Sequence, residues 1–496
     1  MSLGKLYGVG LGPGDPELMT VKAARLISEA SVIAYHSARH GRSIARSVAE
    51  PYLREGQIEE KLVYPVTTET TDHPGGYEGA IADFYELSAK RLAEHLDAGR
   101  DVVLLCEGDP FFYGSYMYMH ERLSGRFEAI VVPGVTSVSA ASSVLGRPLV
   151  QRDEVLTVLP GTLPAPELAR RLADTDAAAV LKLGRTFSSV REAFAEAGKL
   201  DDAVFVERAT WGQQRIEPLA SVDPSTVPYF SLALLPSPAY ASRQSPAVAP
   251  ASAGSGGEVV VVGLGPAGPE WLTPEASAEL SEAEHIVGYG PYVARVPQKA
   301  GQQRHASGNR VEADRAREAL SLAAAGARVA VVSSGDPGVF AMASAVLEQV
   351  AAGHGTGVRV RIVPGVTAAQ AAASRVGAPL GHDYCVLSLS DRLKPWEIIE
   401  KRLDAAGAAD LVLALYNPAS RTRTTQLADA RAVLLRHRAP STPVVVARDV
   451  GGAEEEIRVT TLGDLDPSTV DMRCLLIVGS SRTRAENGIV WTPRSY

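Results

Sequence analysis

The chain has 496 residues, 46% of them hydrophobic and 21% charged, which predicts a globular protein of two to four domains. Its formal net charge of −8 argues against a nucleic-acid-binding surface, because such surfaces normally show a basic excess. The cysteines Cys106, Cys385 and Cys474 form no metal-binding motif, and neither a secretory signal pattern nor a membrane-spanning apolar run is present. We therefore expect a cytoplasmic protein, away from membranes, without a metal or an iron–sulfur cluster.

The first predicted elements alternate between strand and helix. "KLYGVGLG" (5–12) is typical of a buried parallel strand, and "DPELMTVKAARLISEA" (15–30) has apolar residues at helical spacing. The strand "DVVLLC" (101–106) leads into a Gly-Asp-Pro turn, and the strand "FEAIVVPG" (127–134) leads into Pro-Gly-Val-Thr and an Ala/Ser-rich helix. This alternation predicts an α/β fold with helices on the faces of a sheet.

The same pattern then occurs a second time. "GLGPGDPELMT" (10–20) and "GLGPAGPEWLT" (263–273) agree at seven of eleven positions, and the Gly-Asp-Pro and Pro-Gly-Val-Thr turns follow in the same order. We interpret the chain as a tandem duplication, with halves 1–235 and 258–496 joined by a linker, 236–257, rich in Pro, Ala, Ser and Gly. Further strands such as "AAAVLKLG" and "LVLALYNP" indicate a second α/β lobe in each half, with a cleft between the lobes.

The glycine-proline loops admit two interpretations. Residues 263–268 have the G-x-G-x-x-G spacing of dinucleotide-binding loops, which bind pyrophosphate through backbone N–H groups. Pro266 and Pro269 remove two of these donors, and in the first half Asp15 stands where the third glycine is due, so pyrophosphate binding is the poorer account.

The Gly-Asp-Pro and Pro-Gly-Val-Thr turns could each be a simple strand-to-helix turn with Asp or Thr as a helix cap. However, the glycine-proline loop and these two turns all follow strands, and all are duplicated. We therefore favour one small-molecule site in each half.

The strings "VGLGPGDPELMT", "EGDPFFYGS" and "PGVTS" resemble the tetrapyrrole (corrin/porphyrin) methyltransferase family of class III S-adenosylmethionine enzymes. The resemblance implies a duplicated two-lobed α/β fold, with one S-adenosylmethionine bound in the cleft of each half. It also implies the following donor-binding residues: Pro13, Gly108, Asp109, Thr136, Ser137 and Leu183 in the first half, and Pro266, Gly335, Asp336, Thr367, Ala368 and Tyr416 in the second.

The halves resemble different branches of that family. "GDPFFYGSYMYMHERL" is similar to the precorrin-2 C20-methyltransferases, whereas "GYGPYV", "PLGHDYCVLSLSDRLKPWEII" and "LYNPASRTR" are similar to the ring-contracting precorrin-3B C17-methyltransferases. The resemblance implies a bifunctional enzyme of cobalamin synthesis with precorrin substrates, as a homodimer or as an intrachain pseudo-dimer. The alternatives are a non-catalytic half used for binding or dimerisation, cobalt-containing substrates, and RNA or elongation-factor methylation. Gly268 departs from the family, because it replaces the acidic residue that Asp15 supplies in the first half.

Ring contraction should need proton transfer, and His382 is the candidate general acid/base, with a structural hydrogen bond as its alternative role. Asp391 and Lys394 follow it closely. Other charged residues could bind substrate carboxylates or could simply be solvated. They are Arg310, Arg315, Arg421 and Arg423 in the second half and Lys182, Arg185, Arg152, Glu207, His36, His40 and Arg42 in the first.

Overall fold

The computed structural model describes residues 3–39, 41, 43–66, 71, 73–151, 154–237, 257–308, 311–392, 394–486 and 488–493. Two compact units make up the chain, residues 1–136 and 137–496. Most of the predicted linker lies outside the described residues, and so do Arg152, Arg310, His40 and Arg42.

The unit formed by residues 1–136 contains a parallel five-stranded sheet in the order β3-β2-β4-β1-β5. Its strands are β1 (Leu6–Gly10), β2 (Val32–Ser37), β3 (Ile58–Val63), β4 (Val102–Cys106) and β5 (Ala129–Val132). Its helices are α1 (Val21–Glu29), α2 (Ile44–Ala49), α3 (Gly76–Asp97) and α4 (Tyr116–Leu123). Thr20 begins α1 as its N-cap, with its hydroxyl accepting a hydrogen bond from the backbone N–H of Ala23 at 3.2 Å.

A second parallel sheet, in the larger unit, repeats this arrangement in the order β13-β12-β14-β11-β15. Its strands are β11 (Glu258–Gly263), β12 (His285–Tyr289), β13 (Gln303–Ser307), β14 (Arg328–Ser333) and β15 (Arg359–Val363). The accompanying helices are α8 (Pro274–Glu282), α9 (Gly290–Arg295), α10 (Glu312–Ala324), α11 (Met342–Ala351) and α12 (Ala368–Val376).

The buried strand β11 shows why the sheet is covered on both faces. Val259 and Val261 pack into one hydrophobic core with α10, while Val260 and Val262 pack into another with α8. Alternate residues of a strand point to opposite faces, so a run of four valines serves both cores.

The larger unit also contains a ten-stranded sheet in the order β20-β19-β21-β18-β17-β6-β7-β10-β8-β9. The first half supplies β6 (Leu156–Pro160), β7 (Ala177–Leu181), β8 (Val204–Glu207), β9 (Arg215–Pro218) and β10 (Ser231–Leu235). The second half supplies β17 (Tyr384–Ser388), β18 (Val412–Tyr416), β19 (Pro443–Arg448), β20 (Glu456–Thr461) and β21 (Cys474–Val478). The accompanying helices are α5 (Ser137–Leu145), α6 (Ala165–Ala173), α7 (Phe187–Glu196), α13 (Trp396–Ala408) and α14 (Gln426–Leu434).

The halves meet in this sheet where β6 and β17 pair antiparallel, with Cys385 opposite Thr157. Each half contributes five strands in equivalent order on its own side of this junction. A smaller sheet of β16 (Gly377–Ala378), β22 (Arg484–Glu486) and β23 (Ile489–Trp491) completes the unit. The second-lobe strands of the two halves therefore pair within one chain.

Both five-stranded sheets have a topological switch point. The connection from β1 to β2 passes over β4, whereas the connection from β4 to β5 passes over β1, so the two connections leave in opposite directions. The equivalent strands β11 and β14 repeat this arrangement. Ligands of open α/β sheets bind at such a point, outside the carboxyl ends of the strands. The predicted α/β duplication is confirmed.

Candidate functional site

The glycine-proline loop and the Gly-Asp-Pro turn are joined by their backbones in each half. Gly108 donates its N–H to the carbonyl oxygen of Gly12 at 2.8 Å and accepts from the N–H of Gly12 at 3.2 Å. Gly335 and Gly265 form the same pair of bonds at 2.7 and 3.2 Å. These loops follow the neighbouring strands β1 and β4, or β11 and β14, so the paired backbones lie at the switch point of each five-stranded sheet.

The Pro-Gly-Val-Thr turn packs directly against these two loops. A Cβ placed on Gly263 would lie 2.8 Å from both the carbonyl oxygen of Gly335 and the backbone nitrogen of Gly365. Any side chain at 263 would therefore separate the three loops. The backbones of the three loops therefore contact one another directly, and a bulky ligand can approach them closely.

The two aspartates of the Gly-Asp-Pro turns join the loops by accepting hydrogen bonds from backbone N–H groups. Asp109 accepts from the N–H of Phe111 at 2.9 Å and from Gly134 at 3.1 Å. Asp336 accepts from Gly338 at 2.8 Å and from Gly365 at 3.2 Å.

Burial raises the pKa of Asp109 to about 7 and that of Asp336 to about 6, although the backbone hydrogen bonds act to lower both. Each carboxylate thus fixes the turn after β4 or β14 to the turn after β5 or β15, across the strand that lies between them. Asp109 accepts from backbone N–H groups, and Asp336 accepts from backbone N–H groups and from the side chain of Ser139.

Several non-glycine residues in the loops have a left-handed backbone, which is costly for bulky side chains. Three such positions in the first half have a left-handed equivalent in the second, each in the loop that follows a strand, whereas Thr210 (φ 73°) and Asp410 (φ 55°) have no left-handed non-glycine counterpart. The pairs are Tyr113 and Phe340 (φ 56° and 49°), Lys182 and Asn417 (59° and 51°), and Arg208 and Asp449 (47° and 49°). Strained backbone retained in both copies at strand ends is a mark of a ligand site.

The second half brings Thr367, Ala368 and Tyr416 together. Thr367 is the N-cap of α12, and its hydroxyl accepts from the N–H of Gln370 at 3.3 Å. The phenol of Tyr416 accepts from the N–H of Ala369 at 3.2 Å and also bonds the Thr367 side chain. Burial raises the pKa of Tyr416 to about 12, so it stays a neutral phenol.

Phe340 lies against Tyr416, with ring centroids 5.4 Å apart. The strained turn after β14, the start of α12 and the end of β18 therefore meet at these two rings. The predicted second-half residues Asp336, Thr367, Ala368 and Tyr416 belong to one cluster.

The first-half candidates divide between the two units. Pro13, Gly108, Asp109 and Thr136 lie in residues 1–136, and Ser137 and Leu183 lie in residues 137–496. The Leu183 side chain is buried in the hydrophobic core of its lobe beside Phe187. By strand register Lys182 corresponds to Asn417, so the structural equivalent of Tyr416 is Leu181 rather than Leu183.

Arg295, which the sequence did not single out, supports the second glycine-proline loop. Its guanidinium donates to the carbonyl oxygens of Leu264 and Gly265 at 3.1 and 3.0 Å and to the hydroxyl of Ser334 at 3.1 Å. Ser334 in turn lies 3.2 Å from the carbonyl oxygen of Pro266 and donates to it. Burial lowers the pKa of Arg295 from its usual value. The signal available in the sequence was only an arginine at the end of the "GYGPYVAR" helix.

The first half supports the equivalent turn differently. Glu107, which occupies the position of Ser334, accepts from the N–H of Ala45 at the start of α2, at 3.1 Å. The two copies of this turn therefore keep a similar backbone with unrelated side-chain contacts.

Gly268 is not a simple loss of an acidic residue. Asp15 caps the short helix Pro16–Leu18 by accepting from the N–H of Glu17 at 2.9 Å. Gly268 has φ 79° and ψ 152°, a conformation essentially restricted to glycine, and a Cβ there would lie 2.5 to 2.8 Å from the Glu270 carboxyl group. The Glu270 side chain occupies the space that an aspartate at 268 would need.

His382 lies away from the second-half cluster, which is formed by Asp336, Thr367, Ala368 and Tyr416. It precedes β17, which runs parallel to β18 with Ser388 opposite Tyr416. His382 therefore lies at the amino end of this strand pair and Tyr416 at its carboxyl end.

The neighbours of His382 come from the first half as well as the second. Its Nδ1 atom lies 3.4 Å from a carboxylate oxygen of Asp383, which forms a buried ion pair with Arg171 of α6. Burial raises the pKa of Asp383 to about 6, opposed by Arg171 and by Lys182. This position is at the junction between halves, and the general acid/base role of His382 stays a prediction.

Two of the predicted carboxylate-binding arginines are directed at the protein itself. Arg315 is buried and donates to the Ser307 hydroxyl at 2.9 Å and to the carbonyl oxygen of Gly308 at 2.7 Å. Arg423 is buried and donates to the carbonyl oxygen of Asn417 at 2.9 Å. Their burial rules out the alternative of a solvated surface position.

The remaining charged candidates differ in exposure. Glu207 is buried and pairs with Arg208 and Arg215. Lys394 is buried, and Asp391 accepts from Gln426 at 2.7 Å. Arg185 and Arg421 are exposed, while burial lowers the pKa of His36 to about 4.

In the part of the chain that the structure describes, no group of three or more His, Cys, Asp or Glu side chains is arranged to hold a metal ion. Within that same part, no helix combines the length and the apolar character needed to cross a membrane.

The sequence matches the model of the Tetrapyrrole (Corrin/Porphyrin) Methylases over residues 5–223 and again over 258–466. The chain belongs to this family. It is similar to the cobalamin biosynthesis protein CobIJ of Mycobacterium tuberculosis (strain ATCC 25618 / H37Rv), with 60% identity over 501 residues, 99% of this chain and 96% of that protein.

Two shorter relatives from Sinorhizobium each correspond to about half of the chain. The precorrin-2 C(20)-methyltransferase is 51% identical over 237 residues, which is 48% of this chain and 96% of the relative. The precorrin-3B C(17)-methyltransferase is 46% identical over 247 residues, 48% of this chain and 97% of the relative. The predicted family and the resemblance to two different methyltransferases are confirmed.

Proposed function

We propose that this chain is a bifunctional S-adenosylmethionine-dependent methyltransferase of cobalamin synthesis. The first half methylates precorrin-2 at C20 to give precorrin-3A. The second half methylates precorrin-3B at C17, with ring contraction, to give precorrin-4. The observation that carries this proposal is the division of the similarity between two relatives with these two printed specificities.

The second-half cluster fits a sulfonium donor. Backbone at the Gly265–Gly335 contact and the rings of Phe340 and Tyr416 form it, and Pro266 and Pro269 remove two of the N–H donors that a pyrophosphate-binding loop would use. Pro266, Gly335, Asp336, Thr367, Ala368 and Tyr416 are the residues that would hold the donor there. When bound, S-adenosylmethionine supplies an activated methyl group.

The residues of the chain then act mainly by positioning. Asp336 and Tyr416 fix three loops relative to one another, so the donor and the acceptor carbon would meet in a preformed geometry. Methyl transfer to an activated carbon depends chiefly on such alignment and on exclusion of water. For the first half, the resemblance gives Pro13, Gly108, Asp109, Thr136, Ser137 and Leu183 as the donor-binding residues, although Leu181 is the structural equivalent of Tyr416.

We also propose that the two halves form a pseudo-dimer within one chain. The pairing of β6 with β17 supports this arrangement. Three buried free thiols, Cys106, Cys385 and Cys474, fit a reducing, cytoplasmic location. The net charge of −8 argues against a nucleic-acid substrate.

The test uses the purified full-length chain with S-adenosylmethionine labelled in its methyl group. We expect label transfer to precorrin-2 and to precorrin-3B, and two donor sites per chain by titration calorimetry with S-adenosylhomocysteine. Parallel incubations with the cobalt-containing counterparts identify the natural form of the substrate. Methylation of RNA or of an elongation factor without transfer to either corrinoid would contradict the proposal. A single donor site would show that one half is a binding module.

A further inference from the structure

A segment of the first half lies against the Gly-Asp-Pro turn of the second half. This α5 segment, residues 137–150, consists of α5 and the residues that follow it. The N–H of Val150 donates to the carbonyl oxygen of Gly338 at 3.4 Å, and Val150 forms an isolated parallel bridge with Val339. The same turn carries Asp336 at one end and the strained Phe340 at the other.

Three further contacts join the α5 segment to the second half. Ser139 forms a side-chain hydrogen bond with the carboxylate of Asp336, and both residues are buried. The hydroxyl of Ser143 donates to the carbonyl oxygen of Ile362 in β15 at 2.6 Å. A Cβ on Gly338 would lie 3.2 Å from the hydroxyl oxygen of Ser142, so the helix packs directly on this glycine.

The position of Ser139 matters because of what Asp336 does. The Asp336 carboxylate accepts from Gly338 in its own turn and from Gly365 in the turn before α12, and so it joins two of the loops of the site. The Ser139 hydroxyl adds a third donor, which favours the ionised form that can accept all of these bonds. Asp109, by comparison, is bonded by backbone N–H groups of Phe111, Phe112 and Gly134 in its own half.

We propose that Ser139 of the first half is a positioning residue for the donor site of the second half. Through its bond to Asp336 it holds the strained turn in the binding geometry, so the second reaction depends on a side chain of the first half. This inference rests on the proposed function, since its readout is donor use in the C17 reaction. In this inference α5 supports the donor site of the second half in addition to any role in its own half.

Three serines of one helix provide a matched series of variants in the full-length chain. S139A removes the bond to Asp336, S143A removes the bond to Ile362, and S142A removes a hydroxyl that bonds the carbonyl oxygen of Arg147 in its own half. The apparent KM for S-adenosylmethionine and kcat are measured for both reactions in each variant, together with thermal melting.

We expect S139A to raise the donor KM of the C17 reaction roughly tenfold, the usual loss for a hydrogen bond to a charged group. S143A and S142A, whose hydroxyls also lie against the second half, should each have a smaller effect than S139A. The acid limb of the C17 pH profile should move to higher pH in S139A, because loss of the donor destabilises the Asp336 carboxylate and raises its pKa. S139T, which keeps the hydroxyl, should restore both quantities.

An unchanged C17 donor KM and pH profile in S139A would overturn the inference, and so would equal losses in S139A and S142A. Were S139A to precipitate, S139C keeps the volume with a weaker donor and should show the same direction of change. A wild-type chain without C17 activity would refute the proposed function instead, so the two failures are distinguishable.

Discussion

The two halves have the same strained backbone at the carboxyl ends of their strands but hold it with different side chains. Tyr113 and Phe340 have φ values of 56° and 49°, yet the turn beside one is bonded to α2 through Glu107 and the turn beside the other to Arg295 through Ser334. The common feature is the path of the main chain. The difference lies in the side chains that hold the turn, which are Glu107 in the first half and Arg295 with Ser334 in the second.

This comparison indicates which part of the site the ligand constrains. A donor that contacts mainly backbone and ring faces requires the loops to keep their shape, while any set of hydrogen bonds that fixes that shape is acceptable. Two copies could therefore diverge in substrate while retaining one donor geometry. The following substitutions test that view, beginning with the shared feature.

The largest effect is expected at the aspartates that both halves share. In each of the variants Asp109→Asn and Asp336→Asn, an amide NH₂ replaces one of the two accepting oxygens. The buried N–H of Gly134 then loses its acceptor in the first variant, and that of Gly365 loses its acceptor in the second. We expect about 30- to 100-fold weaker donor binding in the half that carries the change. Calorimetry with S-adenosylhomocysteine and methyl-transfer assays on each substrate measure it. Equal losses in both halves from either single variant would show that the two sites are not separate.

A smaller loss, confined to the second half, is expected for Arg295→Met. The variant keeps the apolar stem but removes the bonds to the carbonyl oxygens of Leu264 and Gly265 and to Ser334. We expect the C17 reaction to fall about tenfold while the C20 reaction stays within about twofold. Arg317→Met, an exposed arginine paired with Asp314, is the control. A fall in the C20 reaction would contradict the assignment of Arg295 to one half.

Restoring the acidic residue at position 268 should harm the second half. Gly268→Asp forces a residue with a Cβ into φ 79° and ψ 152°, a conformation essentially restricted to glycine, and the Glu270 carboxyl group, 2.5 to 2.8 Å from the new Cβ, must also move aside. We expect a cost of about 2 kcal/mol in the free energy of unfolding. The reverse change, Asp15→Gly, removes a helix cap and should cost a few tenths of a kcal/mol. Chemical denaturation measures both, and a stabilised Gly268→Asp would contradict this interpretation of the loop.

The smallest effect is expected from exchanging the residues at one strained position. Asparagine tolerates the left-handed region better than lysine, so Lys182→Asn should stabilise the chain by a few tenths of a kcal/mol. Asn417→Lys should destabilise it by more, because Asn417 also donates to the Ser388 hydroxyl at 3.0 Å. Melting temperatures that moved in the same direction for both variants would show that the side chains, rather than backbone strain, decide stability there.

The sequence predicted those features that depend on local pattern. The alternation of strands and helices, the three duplicated turns and the capping role of Thr367 all follow from short-range rules of burial and backbone geometry. The switch point then brought the predicted turns together, because parallel strands end at a common edge.

Features that depend on distant pairing were not predicted. His382 lies at the end of β17 opposite to Tyr416, and nothing in its neighbourhood of the chain specifies that β17 pairs with β6. Arg295 and Ser139 likewise act through residues far away in sequence. The partners of Arg295 are fixed by the folding of its own half, and the partner of Ser139 only when the halves pack.

The antiparallel junction of β6 and β17 has a consequence for any attempt to divide the chain. Separation within residues 236–257 would leave the backbone N–H and C=O groups of both strands as open sheet edges, with Cys385 and Thr157 no longer opposite each other. Fragments made in this way should seek new edge partners, either each other in trans or a second copy of themselves. Such fragments would be recovered as complexes, and reassembly of the two pieces would recreate the parent sheet.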